Sequence, residues 1–362
     1  MRPGITFVLK AALLLYIGVL IILTTNVFDI KDNVVEQIDL PDRRAIFIES
    51  TVCSNPTLQP EVQSSLRFGP GENGSAVDIG ALNLSIPELI VLDKKHRYTT
   101  FISDMIGLRR RLPDKRPASC RTKKYPDSLP PAAIVIIFRD ELASIVLRTV
   151  YSVLQMSPEK LIKEIILVDD GSKDPLLRLA IGIHAKALDK VRVVRNEEPM
   201  GLMMARQSGV DAVTADYFII MDGHMEVTPG WIEPLIYRLI QEPKALLCSH
   251  VGQVEANNFE FKIGDPEFFV FPFFDPLNLN QMYASYSNEF LESRNNSVEP
   301  IPAGTVQGMM IVMKTEFFQA LGGFDPGMQV WGSEQIELSV KVWMCGGRVE
   351  MLPCSMVAHM YR

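Results

Sequence analysis

The chain has 362 residues, of which 47% are hydrophobic and 22% charged, which is enough to bury one large core or two small ones and excludes wholesale disorder. The formal net charge is -7 and no run of Lys and Arg is long enough to track a phosphate backbone, so no nucleic-acid partner is expected.

In chain order, the first element is apolar. Arg2 and Lys10 precede AALLLYIGVLIILTTNVF, Ala11 to Phe28, and Asp29, Asp32 and Glu36 follow it. This run of about 18 residues, at about 1.5 Å per residue, just crosses a hydrocarbon core of about 30 Å. Positive charge before it and negative charge after it predict a cytosolic tail over 1–10, a transmembrane signal anchor over 11–28 and a lumenal remainder, with the membrane reached through one N-terminal helix. The other reading is a cleaved signal peptide; against it, the run exceeds a usual signal-peptide core and no small-x-small site follows. Sequons at Asn73, Asn83 and Asn295 agree with a lumenal body. Cys53, Cys120, Cys248, Cys345 and Cys354 would then meet oxidising conditions, and their odd number leaves at least one thiol unpaired within the chain.

Residues 29–92 carry Pro, Gly and Ser clusters such as PTLQP and FGPGENGSA and read as a lumenal stem. From about Asp93 the texture changes. HRYTTFISDMIGLRRRL spaces its apolar residues near the helical period, and PDKRPASC breaks it. Strands are predicted at 132–138, 164–169, 191–194 and 217–221, with helices at 143–154, 176–188 and 203–213 between them. Strands that are apolar on both faces and joined by helices predict an α/β domain over 93–362, a mostly parallel sheet with helices on both faces. Ligands in such sheets bind beyond the carboxyl ends of the strands. The Phe-rich stretch 259–279 reads as a packed irregular loop or an aromatic-lined groove, 307–313 and 348–353 as later strands, and 333–344 as a helix with Ser333 as N-cap.

The strand ends collect acids: Asp140 and Glu141, then Asp169 and Asp170, then Asp222. Left unpaired they repel, so a cation or hydrogen-bond donors are expected there. Asp222-Gly223-His224 offers an oxygen and a nitrogen ligand across a tight turn, and His359 is the candidate third ligand. Such a donor set suits Mn2+ or a similar ion better than a structural zinc. A separation of Asp222 and His359 beyond about 8 Å would exclude the triad, given ligand distances near 2 Å. The competing reading is an Asx turn beside a surface His. No glycine-rich phosphate loop is present, so a metal would neutralise a diphosphate leaving group instead. Trp331 and Glu334 open the late helix; they read equally as a sugar-stacking face with a hydroxyl acceptor and as a core Trp with a dipole-favoured Glu.

RRRLPDKRPASC, EIILVDDGSKDP, Gly201-Leu202, MDGHMEVTPGWIEPLI, WGSEQIELSVKVWMCGG and LPCSMVAHMYR follow in that order. On these motifs the chain from about Asp93 to Arg362 resembles the animal polypeptide N-acetylgalactosaminyltransferases, type II Golgi membrane enzymes that begin mucin-type O-glycosylation. The resemblance implies a GT-A nucleotide-sugar-binding fold and retaining, Mn2+-dependent transfer of GalNAc from UDP-GalNAc to Ser or Thr of an acceptor polypeptide. It implies Asp222, His224 and His359 as metal ligands and Asp170 at the uridine. It also implies Trp331 and Arg362 over the donor phosphates, Gly308 lining the sugar, Glu334 on the GalNAc hydroxyls, and a Cys120–Cys354 disulfide. The chain would be a short member without the family's C-terminal lectin domain. It departs from the family at Arg139 and Asp140, at Pro199 and Met200, at Val306 and Gln307, and at Ser333 and Gln335. These departures motivate the alternative of a non-enzymatic regulator that binds UDP, peptide or a paralogous transferase. A glycoside hydrolase using Asp170 or Glu334 is a third reading, against which the metal site argues.

Overall fold

The computed structural model describes residues 69–78, 96–263, 270–274, 281–285, 287–294, 298–328 and 332–361. All lie within the compact unit Thr57–Arg362. The expected anchor at 11–28 and most of the expected stem fall outside the described residues, as do Cys53, Trp331 and Arg362. Among the described residues no helix is long and apolar enough to cross a membrane.

The leading segment contains two short helices, α1 (Thr100–Met105) and α2 (Ala118–Thr122). The helical spacing of 96–112 is thus realised for six residues only. After Ile106 the chain leaves the helix and turns over 107–110, because Arg110 points inward to pair with buried Glu226 through two of its guanidinium nitrogens, Nε to Oε2 at 2.7 Å and Nη2 to Oε1 at 2.5 Å. Residues 69–78, within the predicted stem, also contact this body: Val77 N donates to Asn258 O at 2.9 Å, and Val77 is buried.

The central block alternates strand and helix as the apolar runs predict. β1 (Ala132–Phe138), α3 (Ala143–Met156), β2 (Ile162–Asp170), α4 (Pro175–Ala187), β3 (Val191–Asn196), α5 (Leu202–Asp211) and β4 (Tyr217–Asp222) follow in turn. In the sheet they order as β3, β2, β1, β4, all parallel. All seven residues of β1 are buried, and their alternation assigns the two faces. Ile134, Ile136 and Phe138 pack with α3, α4 and α6 (Ile232–Gln241). Ala133, Val135 and Ile137 pack with α5, α8 (Thr315–Ala320) and α9 (Glu334–Met344). Each such aliphatic side chain contributes about 1.5–3 kcal/mol by leaving water.

The second half departs from an all-parallel sheet. β11 (Met310–Lys314) inserts antiparallel between β4 and β6 (Ala245–Val254), and β6 pairs parallel with β12 (Arg348–His359). β5 (Met225–Val227), β7 (Phe261–Lys262) and β10 (Ile301–Pro302) add short antiparallel pairings. In the Phe-rich stretch Phe259 and Phe261 are buried, and β8 (Val270–Phe274) pairs antiparallel with β9 (Gln281–Ser285), ahead of α7 (Asn288–Ser293). Cys120 and Cys354 form the disulfide implied by the resemblance, with Cα atoms 5.1 Å apart, tying α2 to β12. Cys248 is a buried free thiol and Cys345 an exposed one.

Candidate functional site

β1 and β4 run side by side, with Ile137 opposite Asp222, so β4 leaves the sheet at its carboxyl edge against the end of β1. The turn there has no room for a side chain. A Cβ at Gly223 would lie 2.9 Å from the Phe138 Cβ and 3.0 Å from the Ile137 carbonyl oxygen, which is why glycine follows Asp222. Thr149 of α3 pins the turn, donating to Gly223 O at 3.0 Å and accepting from Met225 N at 3.1 Å. The chain then reverses into β5, whose antiparallel pairing with β12 sets His359 opposite Met225. Met360 N donates to His224 O at 3.2 Å.

That pairing assembles the triad. One ligand atom from each of Asp222, His224 and His359 lies within 4.8 Å of the other two. His359 Nε2 is 3.5 Å from Asp222 Oδ2, far inside the limit that would exclude a shared ion. Two atoms each about 2.1 Å from one ion are about 3.0 Å apart at right angles and at most about 4.2 Å apart, so the side chains would have to close by about 0.6 Å or more to share it. One carboxylate oxygen with two imidazole nitrogens suits Mn2+ or a similar divalent ion. Burial opposes ionisation of Asp222, but the hydrogen bond with His359 and the charges of Arg206, His224 and His359 outweigh it and hold its carboxyl down at about 2.

Arg206 of α5, fully buried, joins this triad to the late helix. Its Nη1 donates to Glu334 Oε1 at 2.5 Å, and its Nη2 donates to Gly308 O at 2.5 Å and approaches Asp222 Oδ1 at 3.4 Å. Glu334 is buried and also accepts from Gly332 N at 3.1 Å. Gly308 lies against that helix start, since a Cβ there would meet Gln335 Oε1 at 3.3 Å and Glu334 Oε1 at 3.4 Å. Ser333 does not cap the helix as expected. It occupies the N-cap position with φ 68 and makes no side-chain cap hydrogen bond, because its left-handed backbone departs from the extended conformation from which an N-cap side chain bonds.

Asp170 is brought to the same sheet edge but is engaged differently. Its Oδ1 accepts from Asn196 Nδ2 at 2.9 Å and Met200 N at 2.8 Å, and its Oδ2 from Gly201 N at 3.1 Å. Gly201, with φ 86, starts α5 in a conformation that side chains rarely adopt. The carboxylate thereby organises the loop between β3 and α5.

Two residues of the site were not singled out from sequence. Arg206 shares the core face of α5 with Met203 and Val210, and a lone basic residue at that spacing is the signal for a buried acidic partner. Glu141 was read only as part of an acidic rim, and its partners come from distant segments that local pattern does not reach.

A model of glycosyl transferase family 2 matches residues 133–322, and a model of the N-terminal domain of galactosyltransferase matches residues 290–362. Polypeptide N-acetylgalactosaminyltransferase 13 of Rattus norvegicus is 36% identical over 296 residues, which is 81% of this chain and 52% of the relative. Polypeptide N-acetylgalactosaminyltransferase 3 of Homo sapiens is 35% identical over 322 residues, 85% of this chain and 49% of the relative. The crystal structure of GalNAc-T7 with UDP, GalNAc and Mn2+ aligns with a TM-score of 0.73 at 30% identity, over 81% of this chain and 55% of that one. The chain spans about half the length of the curated relatives it matches. This chain belongs to glycosyl transferase family 2, and over 81% or more of its length it is similar to polypeptide N-acetylgalactosaminyltransferases.

Proposed function

We propose that this chain transfers GalNAc from UDP-GalNAc to Ser or Thr hydroxyls of polypeptides, with retention of anomeric configuration and dependence on Mn2+. The observation that carries the reading is the convergence of Asp222, His224 and His359 at the carboxyl edge of the sheet, in a chain of this family. A divalent ion bound there would neutralise the diphosphate and stabilise UDP as it leaves. Asp222, His224 and His359 would hold the ion. Glu334, fixed by Arg206, and Gly308 beside it form the wall that meets the sugar hydroxyls. Asp170 shapes the loop at the uridine, and Trp331 and Arg362 are assigned to the donor phosphates. The acceptor hydroxyl attacks from the face that UDP leaves.

The same reading makes 1–10 a cytosolic tail, 11–28 a signal anchor, 29–92 a stem and 93–362 the transferase domain in the Golgi lumen. The charge asymmetry around 11–28 and the exposed sequon residue Asn73 support this placement. Removal of N-glycans should then raise the electrophoretic mobility of the chain expressed in secretory cells, and a chain carrying none would count against it.

Calorimetric titration of UDP into the full chain with Mn2+, repeated in EDTA and with His224→Ala, tests the donor site. Binding that needs both the metal and His224 is expected, followed by transfer to a Thr-containing peptide. Folded protein that binds no UDP, or binds it and transfers nothing, would overturn the transferase reading.

A further inference from the structure

The metal reading leaves unexplained a buried carboxylate immediately behind His224. Glu141, 3% exposed, stands three residues beyond the end of β1. Both of its oxygens are engaged, on opposite sides. Oε2 is 3.2 Å from His224 Nδ1. Oε1 accepts from the Tyr98 hydroxyl at 2.6 Å, with Leu142 N at 3.3 Å and His96 Nδ1 at 3.7 Å. Tyr98 is itself fully buried, edge-on to Phe259, so its hydroxyl is held in place by the leading segment of the domain.

The backbone before Glu141 is also specialised. Asp140 has φ 46, a left-handed conformation that residues other than glycine adopt rarely. It is held there from both sides: Asp140 N donates to Ser172 Oγ at 2.8 Å, and Lys173 N donates to Asp140 Oδ1 at 2.8 Å. This turn carries the chain from the exposed Arg139 to the buried Glu141 in two residues.

We propose that Glu141 is a positioning residue for His224. Its carboxylate accepts the Nδ1 proton, which fixes the ring orientation and leaves Nε2 unprotonated as the ligand atom, and Tyr98 fixes the carboxylate in turn. A carboxylate behind a ligating histidine raises the basicity of that ligand as well as orienting it. The leading segment is thereby coupled to the metal site through Tyr98, without contributing a ligand. The inference rests on the Mn2+ reading of the preceding subsection.

The test is Mn2+ affinity, read by electron paramagnetic resonance of free and bound Mn2+, on the full chain, with Glu141→Gln and Tyr98→Phe, alongside the thermal midpoint of each metal-free protein. Glu141→Gln should weaken Mn2+ binding about 10- to 100-fold and alter the bound-ion spectrum. Tyr98→Phe, which removes one hydroxyl and keeps the ring, should weaken it about two- to tenfold. A merely structural role would lower the metal-free midpoints and leave the affinities unchanged; that result overturns the proposal. If Glu141→Gln does not fold, Tyr98→Phe decides alone by the same criterion. A wild-type chain that binds no Mn2+ would overturn the metal reading itself, whereas normal binding by wild type and variants alike would overturn only the positioning role.

Discussion

Asp170 and Asp222 end the two strands that flank β1, at the same edge of one parallel sheet. Asp170 is 3% exposed and its carboxylate is taken up by the Asn196 side-chain amide at the end of β3 and by the backbone amides of Met200 and Gly201 in the loop behind it. The Asp222 side chain is 20% exposed and faces Arg206, His224 and His359. Equivalent placement therefore yields two chemistries, and what returns to the carboxylate decides between them. After β2 the chain returns as the end of β3 and the loop behind it, offering N–H donors from Asn196, Met200 and Gly201, which organise that loop. After β4 it turns at once and meets β12, which offers an imidazole, and an oxygen next to two imidazoles is a donor set that could hold a metal ion.

The comparison can be broken at its link to Glu334, at either carboxylate, or by acid. Arg206→Leu should cost the most, about 3–5 kcal/mol in denaturant unfolding, because Glu334 would remain buried without its cation. A loss below about 1 kcal/mol would mean that Glu334 finds solvent or another donor. Asp222→Asn should lower Mn2+ affinity on the order of 100-fold or more, a larger loss than for a residue that merely orients a ligand. Retained affinity would remove Asp222 from the site.

Asp170→Ala should show the opposite pattern. It leaves buried donors without their acceptor, so about 2–3 kcal/mol of stability should go while Mn2+ affinity stays within about twofold. Unchanged stability with lost UDP binding would instead make Asp170 a nucleotide ligand. The smallest expected effect is acid-dependent. The Asp222 carboxyl is held at about 2 against an ordinary 3.8, so its contribution is complete above about pH 4 and is lost as the pH falls toward 2. Asp222→Asn should flatten that limb of the metal-free stability curve by about 2 kcal/mol; an identical acid limb would show that other groups carry it.

Much of the parallel half was legible beforehand. Its strands are apolar on both faces, bounded by turns, and spaced by amphipathic helices, so each local signal agreed with the fold. The insertion of β11 was not legible. MMIVM reads as a buried strand in either direction, and its antiparallel place between β4 and β6 comes from pairings far apart in the chain. The short run of α1 has a similar cause, since the Arg110–Glu226 pair overrides a favourable helical spacing.

By itself the sequence determined where chemistry could sit: acids at the ends of apolar strands, Asp222-Gly223-His224 at a tight turn, and few histidines to complete a site. Local periodicity and turn stereochemistry are enough for that, because they depend on neighbours a few residues apart. Only the tertiary structure decided that His359 completes the site, that Arg206 joins Asp222 to Glu334, and that Glu141 stands behind His224. Those contacts follow from β12 pairing with β5 and from α5 packing on the sheet, and long-range pairing leaves no periodic trace in either partner alone.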